Sequence, residues 1–188
     1  MTTPDDLHSA PALETRRLSL RVPTMSDFED CAAMWGDPQV THYLRGTPFT
    51  REESWARLLR YVGHWQLLGF GFWAVHEKTS GRFIGEVGLA DFCRELQPSL
   101  DGAPEIGWAL SPWAHGNGFA TEAASAALGW IAARFGPLRT VCIIHPENSA
   151  SLSVAQKCSF TEFARTSYKD SPVILFERVP NLKDSSPR

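Results

Sequence analysis

Residues 105–123 place a strand, a proline and a turn with two glycines directly before the start of a helix. The letters of this stretch are EIGWALSPWAHGNGFATEA. A helix N-terminus leaves backbone N–H groups unpaired and carries about half a positive charge. Glycines at 116 and 118 allow an anion to come close to that backbone. The spacing predicts either a cradle for a phosphate group or a tight turn that binds nothing.

Other chemistries fit the sequence poorly. The spacing Gly116-x-Gly118-x-x-Thr121 partly matches a dinucleotide-binding fingerprint, but it follows an antiparallel meander and lacks an acidic residue about 20 positions further on. The six histidines show no H-E-x-x-H spacing and no pairing with the cysteines, and there is no Gly-x-Ser-x-Gly elbow. We therefore expect neither a metal site nor a serine hydrolase.

The composition is that of an ordinary globular chain. Its 188 residues correspond to little more than one domain, and 43% hydrophobic with 21% charged residues excludes a disordered or fibrous protein. A formal charge of −3 without a run of Lys or Arg argues against nucleic acid as a partner. The chain has no apolar run of ~20 residues, no signal peptide pattern and no C-x-x-C pair. We expect a cytoplasmic protein with reduced thiols and no membrane contact.

Hydrophobic periodicity predicts one domain over residues 13–180, between loose termini at 1–12 and 181–188. The element order is β-α-α-β-β-β-α-β-α-β-β. An antiparallel meander combined with one β-α-β crossover predicts a mixed α/β fold of about seven strands and about four helices. The second helix should begin after Thr50. Its buried face is expected to contain Trp55, Leu58, Leu59, Val62 and Gln66.

The turn resembles the pyrophosphate motif of the Gcn5-related N-acetyltransferase superfamily, Gln/Arg-x-x-Gly-x-Gly/Ala. The residues from His115 to Ala120 meet that pattern at every position except the first. The surrounding sequence also resembles the ribosomal-protein alanine acetyltransferases of the RimJ/RimL type, and the resemblance spans residues 13–180. The similar segments are Leu13-Glu-Thr-Arg-Arg-Leu, Glu105-Ile-Gly-Trp, Ala120-Thr-Glu-Ala, and Asn148-Ser-Ala-Ser with Phe160.

The resemblance implies acetyl-CoA as the acetyl donor and identifies the residues that would hold it. In that fold the strand before the turn splays from its neighbour, and its free N–H groups pair with pantetheine. N–H groups near Ala109 and Leu110 would stabilise the oxyanion, and Pro112 would end the strand pairing. The residues expected to bind the cofactor are Trp108, Ala109, Leu110, His115, Gly116, Asn117, Gly118, Phe119, Ala120, Thr121, Asn148 and Ser151.

The resemblance also implies direct attack by a neutral amine, which needs a proton acceptor. Glu105 is the preferred base, with a purely structural carboxylate as its alternative. Glu86 is more readily structural, and His145 fits a site or a loop equally well. An α-amine with a pKa of ~7.8 loses its proton more easily than a lysine side chain with a pKa of ~10.4. A site without a strong general base therefore suits an α-amine.

Two positions depart from the family pattern. The tyrosine that often serves as general acid would stand at Ala155, so Ser151 is the candidate donor to the leaving sulfur unless it only caps its helix. Ser159 stands before Phe160, where the family usually has glycine. The alternative function is therefore a catalytically weak acyl-CoA-binding or sensor module. The acceptor stays open between a protein N-terminus, an amino acid, a polyamine and an amine drug, and a homodimer is a family expectation.

Overall fold

An eight-stranded mixed sheet organises residues 11–180, the part of the chain that the computed structural model describes. The segment 181–188 and residues 1–10, expected to be loose, lie outside this range. The strands are β1 Leu13–Glu14, β2 Leu18–Arg21, β3 Phe72–Glu77, β4 Phe83–Ala90, β5 Glu105–Leu110, β6 Thr140–Ile144, β7 Thr161–Tyr168 and β8 Ser171–Arg178. The helices are α1 Phe28–Trp35, α2 Pro38–Thr41, α3 Arg51–Leu68, α4 Phe119–Phe135 and α5 Ser149–Lys157.

The strand order is β1-β2-β3-β4-β5-β6-β8-β7. All neighbours pair antiparallel except β5 and β6, which run parallel and are joined through α4. The predicted mixed fold with one crossover is confirmed. The two-residue β1 and the single-turn α2 account for the extra strand and helix.

Helix α3 begins at the predicted cap. The Thr50 hydroxyl accepts a hydrogen bond from the N–H of Glu53 at 3.1 Å, and the Glu53 carboxylate accepts one from the N–H of Thr50 at 2.8 Å. This reciprocal arrangement satisfies two N–H groups at the helix start. The helix ends at Gly69, whose φ of 71° is left-handed.

The predicted buried face of α3 is wrong for three of its residues. Leu59 and Val62 are 51% and 48% exposed, and Gln66 is exposed as well, whereas Tyr61 and Trp65 are buried. Both aromatic side chains have polar tips that find partners inside the protein. The Trp65 indole donates to the carbonyl of Phe72 at 2.9 Å, and the Tyr61 hydroxyl donates to a buried carboxylate. These bonds compensate the burial of polar atoms, so the face of α3 that carries Tyr61 and Trp65 packs against the sheet.

Helix α4 packs on the sheet through alanines. Ala123, Ala124 and Ala127 are buried against residues of β2, β4 and β5. Small side chains let the helix approach the strands closely, which brings its N-terminus beside the end of β5. No helix within residues 11–180 is long and apolar enough to cross a bilayer. The same range holds no group of three or more potential metal-ligating side chains.

Candidate active site

Strands β5 and β6 diverge near the centre of the sheet. They share a single register pair, Glu105 with Val141, at the start of β5. There the N–H of Val141 donates to the carbonyl of Pro104 at 3.1 Å. Beyond this point β5 remains paired only with β4, up to Leu110. The divergence leaves an opening between the second half of β5 and β6.

Backbone alternation decides which groups of β5 face this opening. Since the Pro104 carbonyl points to β6, even-numbered residues turn toward the opening and odd-numbered ones toward β4. The N–H of Ser111, which donates to a β4 carbonyl at 2.8 Å, agrees with this alternation. Trp108 and Leu110 therefore present N–H groups to the opening. The sequence predicted oxyanion donors near both Ala109 and Leu110. The N–H of Leu110 faces the opening, but that of Ala109 faces β4 and is not available there.

The close approach of β4 explains one glycine. A Cβ at Gly85 would lie 2.2 Å from the carbonyl oxygen of Ala109, well inside van der Waals contact. Only glycine lets the two strands meet at this distance. The end of β5 is thus held against β4 while its other edge stays open.

The predicted turn leads into α4 without a side-chain cap. Gly118 is the N-cap with φ 76°, and Gly116 has φ 77°, so both glycines adopt left-handed conformations. No side chain hydrogen-bonds to the first turn of α4 as a cap. The N–H groups that a cap would occupy stay available to an anion, as the cradle requires.

Two predicted site residues serve the turn itself. The His115 Nε2 donates to the carbonyl of Leu110 at 2.8 Å, which ties the turn to the strand end. The Asn117 amide donates to the carbonyl of His115 at 3.1 Å, and Asn117 lines neither of the two large cavities described below. Both side chains therefore hold the backbone of the turn in place, and His115 also lines the cavity over it.

An ion pair that sequence reasoning missed supports the turn. Arg17 Nε lies 2.7 Å from a Glu122 carboxylate oxygen, and Arg17 Nη1 donates to the carbonyl of Asn117 at 2.9 Å. Burial would raise the pKa of Glu122, but hydrogen bonds from Thr15 and Arg17 outweigh it and lower that pKa. The sequence singled out both residues, because Arg17 and Glu122 belong to two of the segments that resemble the family. It did not indicate that they pair, since they are brought together only by the fold.

Two cavities meet at the opening. The first, of about 460 Å³, lies over the turn and the start of α4, and we call it the turn cavity. The second, of about 420 Å³, lies between α3 and the β6 side, and we call it the arginine cavity because Arg57, Arg60 and Arg94 line it. The predicted cofactor residues that line the turn cavity are Trp108, Ala109, Leu110, His115, Gly116, Gly118, Phe119, Ala120, Thr121, Asn148 and Ser151. Lys157 also lines it and was not predicted.

Ser151 lies at the junction of the two cavities. Its N–H donates to the side chain of Asn148 at 3.0 Å, so Asn148 is the cap of α5. The Trp108 indole donates to the Ser151 hydroxyl oxygen at 3.1 Å. Because this oxygen already accepts a hydrogen bond, its own hydrogen is free to point elsewhere. Ala155 is completely buried and offers no polar group.

The unusual serine at the end of α5 keeps the backbone of a glycine. Ser159 has φ 64°, in the left-handed region that glycine enters most easily. The N–H of Phe160 nevertheless donates to the carbonyl of Ala155 at 3.0 Å, which closes the helix. The departure from the family pattern therefore leaves this turn in place.

Glu105 is held by an arginine. Arg94 donates from Nε to one carboxylate oxygen at 2.6 Å and from Nη2 to the other at 2.8 Å. Burial alone would lower the pKa of Arg94, but the bonds to Glu105 raise it. Both oxygens are engaged in charge-assisted bonds, which an incoming proton would have to weaken.

The other two base candidates are also engaged. Glu86 is 1% exposed and accepts hydrogen bonds from Trp35 at 2.9 Å and Tyr61 at 2.7 Å. It lines neither cavity. His145 lines the arginine cavity, but its Nδ1 accepts from the N–H of Glu147 at 3.2 Å. In the neutral ring the proton is then on Nε2, which makes that nitrogen a donor.

A cysteine on the arginine cavity remains a thiol. Cys142 is buried, and burial with the nearby charge of Glu105 raises the pKa of its thiol well above 9.0. A thiolate is the nucleophilic form of cysteine, so Cys142 is not activated for covalent catalysis. The site offers the open edge of β5 and the uncapped start of α4, beside two cavities that meet.

Comparison with known proteins identifies the family of the chain. Residues 17–161 match the acetyltransferase (GNAT) domain family, and the chain belongs to that family. The uncharacterized N-acetyltransferase p20 of Bacillus licheniformis is 28% identical over 149 residues, 79% of this chain and 81% of that protein.

Solved structures share the fold. A GNAT-family acetyltransferase from Bordetella pertussis has a TM-score of 0.80 and 28% identity, covering 90% of this chain and all of that one (100%). The ribosomal alpha-N-protein acetyltransferase RimL in complex with Coenzyme A has a TM-score of 0.74 at 17% identity, covering 90% of this chain and 98% of that one. At that identity the likeness to RimL concerns the fold.

Proposed function

We propose that the protein transfers the acetyl group of acetyl-CoA to a primary amine in a ternary complex. The observation that carries this proposal is the single register pair between β5 and β6, beyond which two cavities meet at open backbone donors. Acetyl-CoA as the donor agrees with the acetyltransferase family of the chain and with the Coenzyme A in the RimL structure. The turn cavity would hold the donor and the arginine cavity the acceptor.

The fit to CoA rests on two features of the site. The uncapped first turn of α4, with Gly116 and Gly118 before it, offers N–H groups to the pyrophosphate. The open edge of β5 offers the N–H of Trp108 to the amide-containing arm. The N–H of Leu110 is then the donor closest to the strand end, and we assign it to the thioester oxygen, where negative charge develops. Ala109 contributes its small side chain to the wall of both cavities.

In the reaction the amine nitrogen forms a bond to the thioester carbon and the C–S bond breaks. The amine loses one proton and the leaving sulfur gains one. Because Glu105, Glu86 and His145 are each engaged, we propose that the ammonium form of the acceptor loses its extra proton to water before attack. The proton that the neutral amine then loses as the amide forms replaces, through water, the proton that the leaving sulfur takes from its donor. This route suits an α-amine, since deprotonation at pH 7 costs it about 1 kcal/mol and a lysine about 4.6 kcal/mol. Glu105 as general base stays a prediction from the sequence.

Ser151 is the proposed proton donor to the leaving sulfur. Its hydroxyl lies between both cavities, and its oxygen already accepts from Trp108, so the hydroxyl hydrogen is free to donate. Tyr43 also lines both cavities, with its ring tilted against that of His145 at 5.4 Å between centroids, which makes its phenol the second candidate. The RimJ/RimL subtype is proposed from the matching sequence segments.

Thermal unfolding in the presence of acetyl-CoA, CoA or NAD tests the donor. A ligand at about 100 times its Kd adds about 2.7 kcal/mol of stability, which raises the Tm by about 5 to 10 °C for a chain of this size. We expect this shift with both CoA species and none with NAD. Thiol release during incubation with a panel of amines then measures transfer. The absence of a shift with either CoA species would overturn the proposal.

A catalytically weak acyl-CoA-binding module is the second candidate. It is favoured by the ion pair that engages Glu105 and by Ala155 at the usual position of the acid. The same two measurements separate the candidates. Tight acetyl-CoA binding without thiol release for any amine would favour the module, whereas release that depends on an amine would favour the enzyme.

A further inference from the structure

The arginine cavity carries an excess of positive charge. Five cationic side chains line it, Arg45, Arg57, Arg60, Arg94 and Lys169, together with one carboxylate, Glu105. Arg94 pairs with Glu105, and Arg45 pairs at 2.7 Å with Glu53 outside the cavity. Within residues 11–180, no carboxylate lies at ion-pair distance from the other three.

Arg57 is held in place by its neighbours, but most of its N–H donors have no hydrogen-bond partner among residues 11–180. Its guanidinium lies 3.8 Å from the centre of the Trp35 ring and 4.7 Å from that of Phe49. It donates to the Tyr61 hydroxyl at 3.0 Å, while its buried Nε has no hydrogen-bond partner within the described range. A guanidinium has five N–H donors, so Arg57 retains several for a ligand. Stacking on two rings orients these donors in advance.

Arg60 stands one helical turn further along α3. Arg60 is exposed on one side, and partial burial together with the like charge of Arg57 lowers its pKa. Arg94 adds a smaller contribution in the same direction, and Tyr61 and Glu86 oppose it. Two arginines three positions apart on one helix face repel each other. An anion bound between them would relieve that repulsion. The buried Glu86 lies behind Tyr61, outside the cavity, and leaves the lining itself positive.

We propose that the acceptor is a small primary amine that carries a carboxylate or phosphate, and that Arg57 and Arg60 bind this anionic group. The inference rests on the proposed function, since it assumes that the arginine cavity receives the acceptor. A volume of about 420 Å³ suits a small molecule. Bidentate contacts between guanidinium and carboxylate or phosphate supply the recognition. A polyamine, being cationic, is disfavoured by the same charges.

Matched amine pairs test the proposal. Alanyl-alanine and alanyl-alanine amide present similar α-amines but differ in the terminal carboxylate, and phosphoethanolamine and ethanolamine differ in the phosphate. We expect kcat/KM to be at least about tenfold higher for the anionic member, since bonds between charged groups are worth that factor or more. Putrescine should be the poorest acceptor. If just one of the two pairs shows a preference, the result supports the proposal and identifies which anionic group the site binds. Equal rates within both pairs, or faster transfer to putrescine, overturn it.

Variants of the two arginines test whether Arg57 and Arg60 cause the preference for the anionic amine. Arg57→Met and Arg60→Gln should each remove most of the preference, because KM for the anionic amine should rise much more than KM for the neutral amine. Arg57→Lys keeps a charge without the planar donors and should retain part of it. Arg51→Gln is the matched control, because Arg51 is on the same helix but pairs with Glu29 and lines neither cavity. An unchanged preference in Arg57→Met and Arg60→Gln would overturn the assignment.

Calorimetry with CoA in place of acetyl-CoA separates this inference from the proposed function, because no transfer takes place. We expect alanyl-alanine to bind the CoA-saturated protein at least about tenfold tighter than its amide, and Arg57→Met to abolish the difference. Equal binding overturns the inference even when amines are acetylated. If CoA itself fails to bind, the proposed function fails, and the same titration without CoA still decides whether Arg57 binds an anion.

Discussion

Arg94 holds both carboxylate oxygens of Glu105, at 2.6 and 2.8 Å, at the point where β5 and β6 part. The side chains of the pair are only 21% and 11% exposed. An ion pair in this place fixes the irregular loop that carries Arg94 to the start of β5. We therefore expect Glu105 to position the opening rather than accept a proton.

Glu105→Gln should separate these roles. It keeps the shape of the side chain but leaves Arg94 without a counter-charge, so the free energy of unfolding should fall by about 1 to 3 kcal/mol. As a positioning group, Glu105 should change kcat by less than about tenfold, with no change in the shape of its pH profile. A loss of kcat of about 10²- to 10⁴-fold together with the acidic limb of the profile would identify a general base instead.

The double variant Arg94→Met/Glu105→Gln is the control for stability. Replacing both partners removes the unpaired charge, and it should recover part of the stability lost in Glu105→Gln. Urea unfolding of the two single variants and the double variant measures this coupling. Additive losses would contradict an ion pair that acts as a unit.

Ser151→Ala should lower kcat by about 100-fold if the hydroxyl protonates the leaving sulfur. Acetyl-CoA binding should change little, because the backbone donors of β5 and α4 remain. Ser153→Ala is the matched control, since Ser153 is on the same helix and lines the turn cavity but not the arginine cavity. Steady-state rates of thiol release measure both variants. Equal rates in Ser151→Ala and the wild type would shift the role of donor to Tyr43, with Tyr43→Phe as its test.

The parts of the site that follow from local sequence could be predicted. The uncapped start of α4 was indicated by Gly116 and Gly118, because left-handed residues and a helix N-terminus are local features. The cap at Thr50 was predicted for the same reason, since its hydroxyl bonds to the N–H of Glu53 three residues away.

Contacts between distant residues could not be predicted. Arg94 lies in an irregular loop, and its bond to Glu105 depends on the path of that loop over the sheet. The buried face of α3 depends on partners supplied by β3 and β4, so hydrophobicity alone favoured Leu59 over Tyr61. The positive cavity has the same origin, because Arg57 belongs to the face that Tyr61 turns inward.

Gly118→Ala should weaken the cradle. A φ of 76° costs a residue with a Cβ about 1 to 2 kcal/mol, although no atom lies closer than 3.6 Å to the added carbon. The Tm should fall by about 2 to 8 °C, and acetyl-CoA should bind less tightly because the turn shifts to relieve the strain. Gly129→Ala is the control in the same helix, where open space and helical backbone predict a gain of about 0.5 to 1 kcal/mol. Unchanged CoA affinity in Gly118→Ala would show that the turn does not bind phosphate.

Asp27 makes part of the stability of the fold depend on pH. Burial alone would raise its pKa, but hydrogen bonds with His76, Arg21 and Thr24 outweigh burial and hold it well below 3.8. A carboxyl group with a depressed pKa stabilises the folded state above its unfolded pKa, and this contribution is lost as pH falls below about 4 toward the folded pKa. Asp27→Asn should be less stable than the wild type at pH 7, and the difference should shrink as the pH falls toward 3. Urea midpoints at pH 7, 5, 4 and 3 measure this, and a difference that stays constant would contradict the role of the charge.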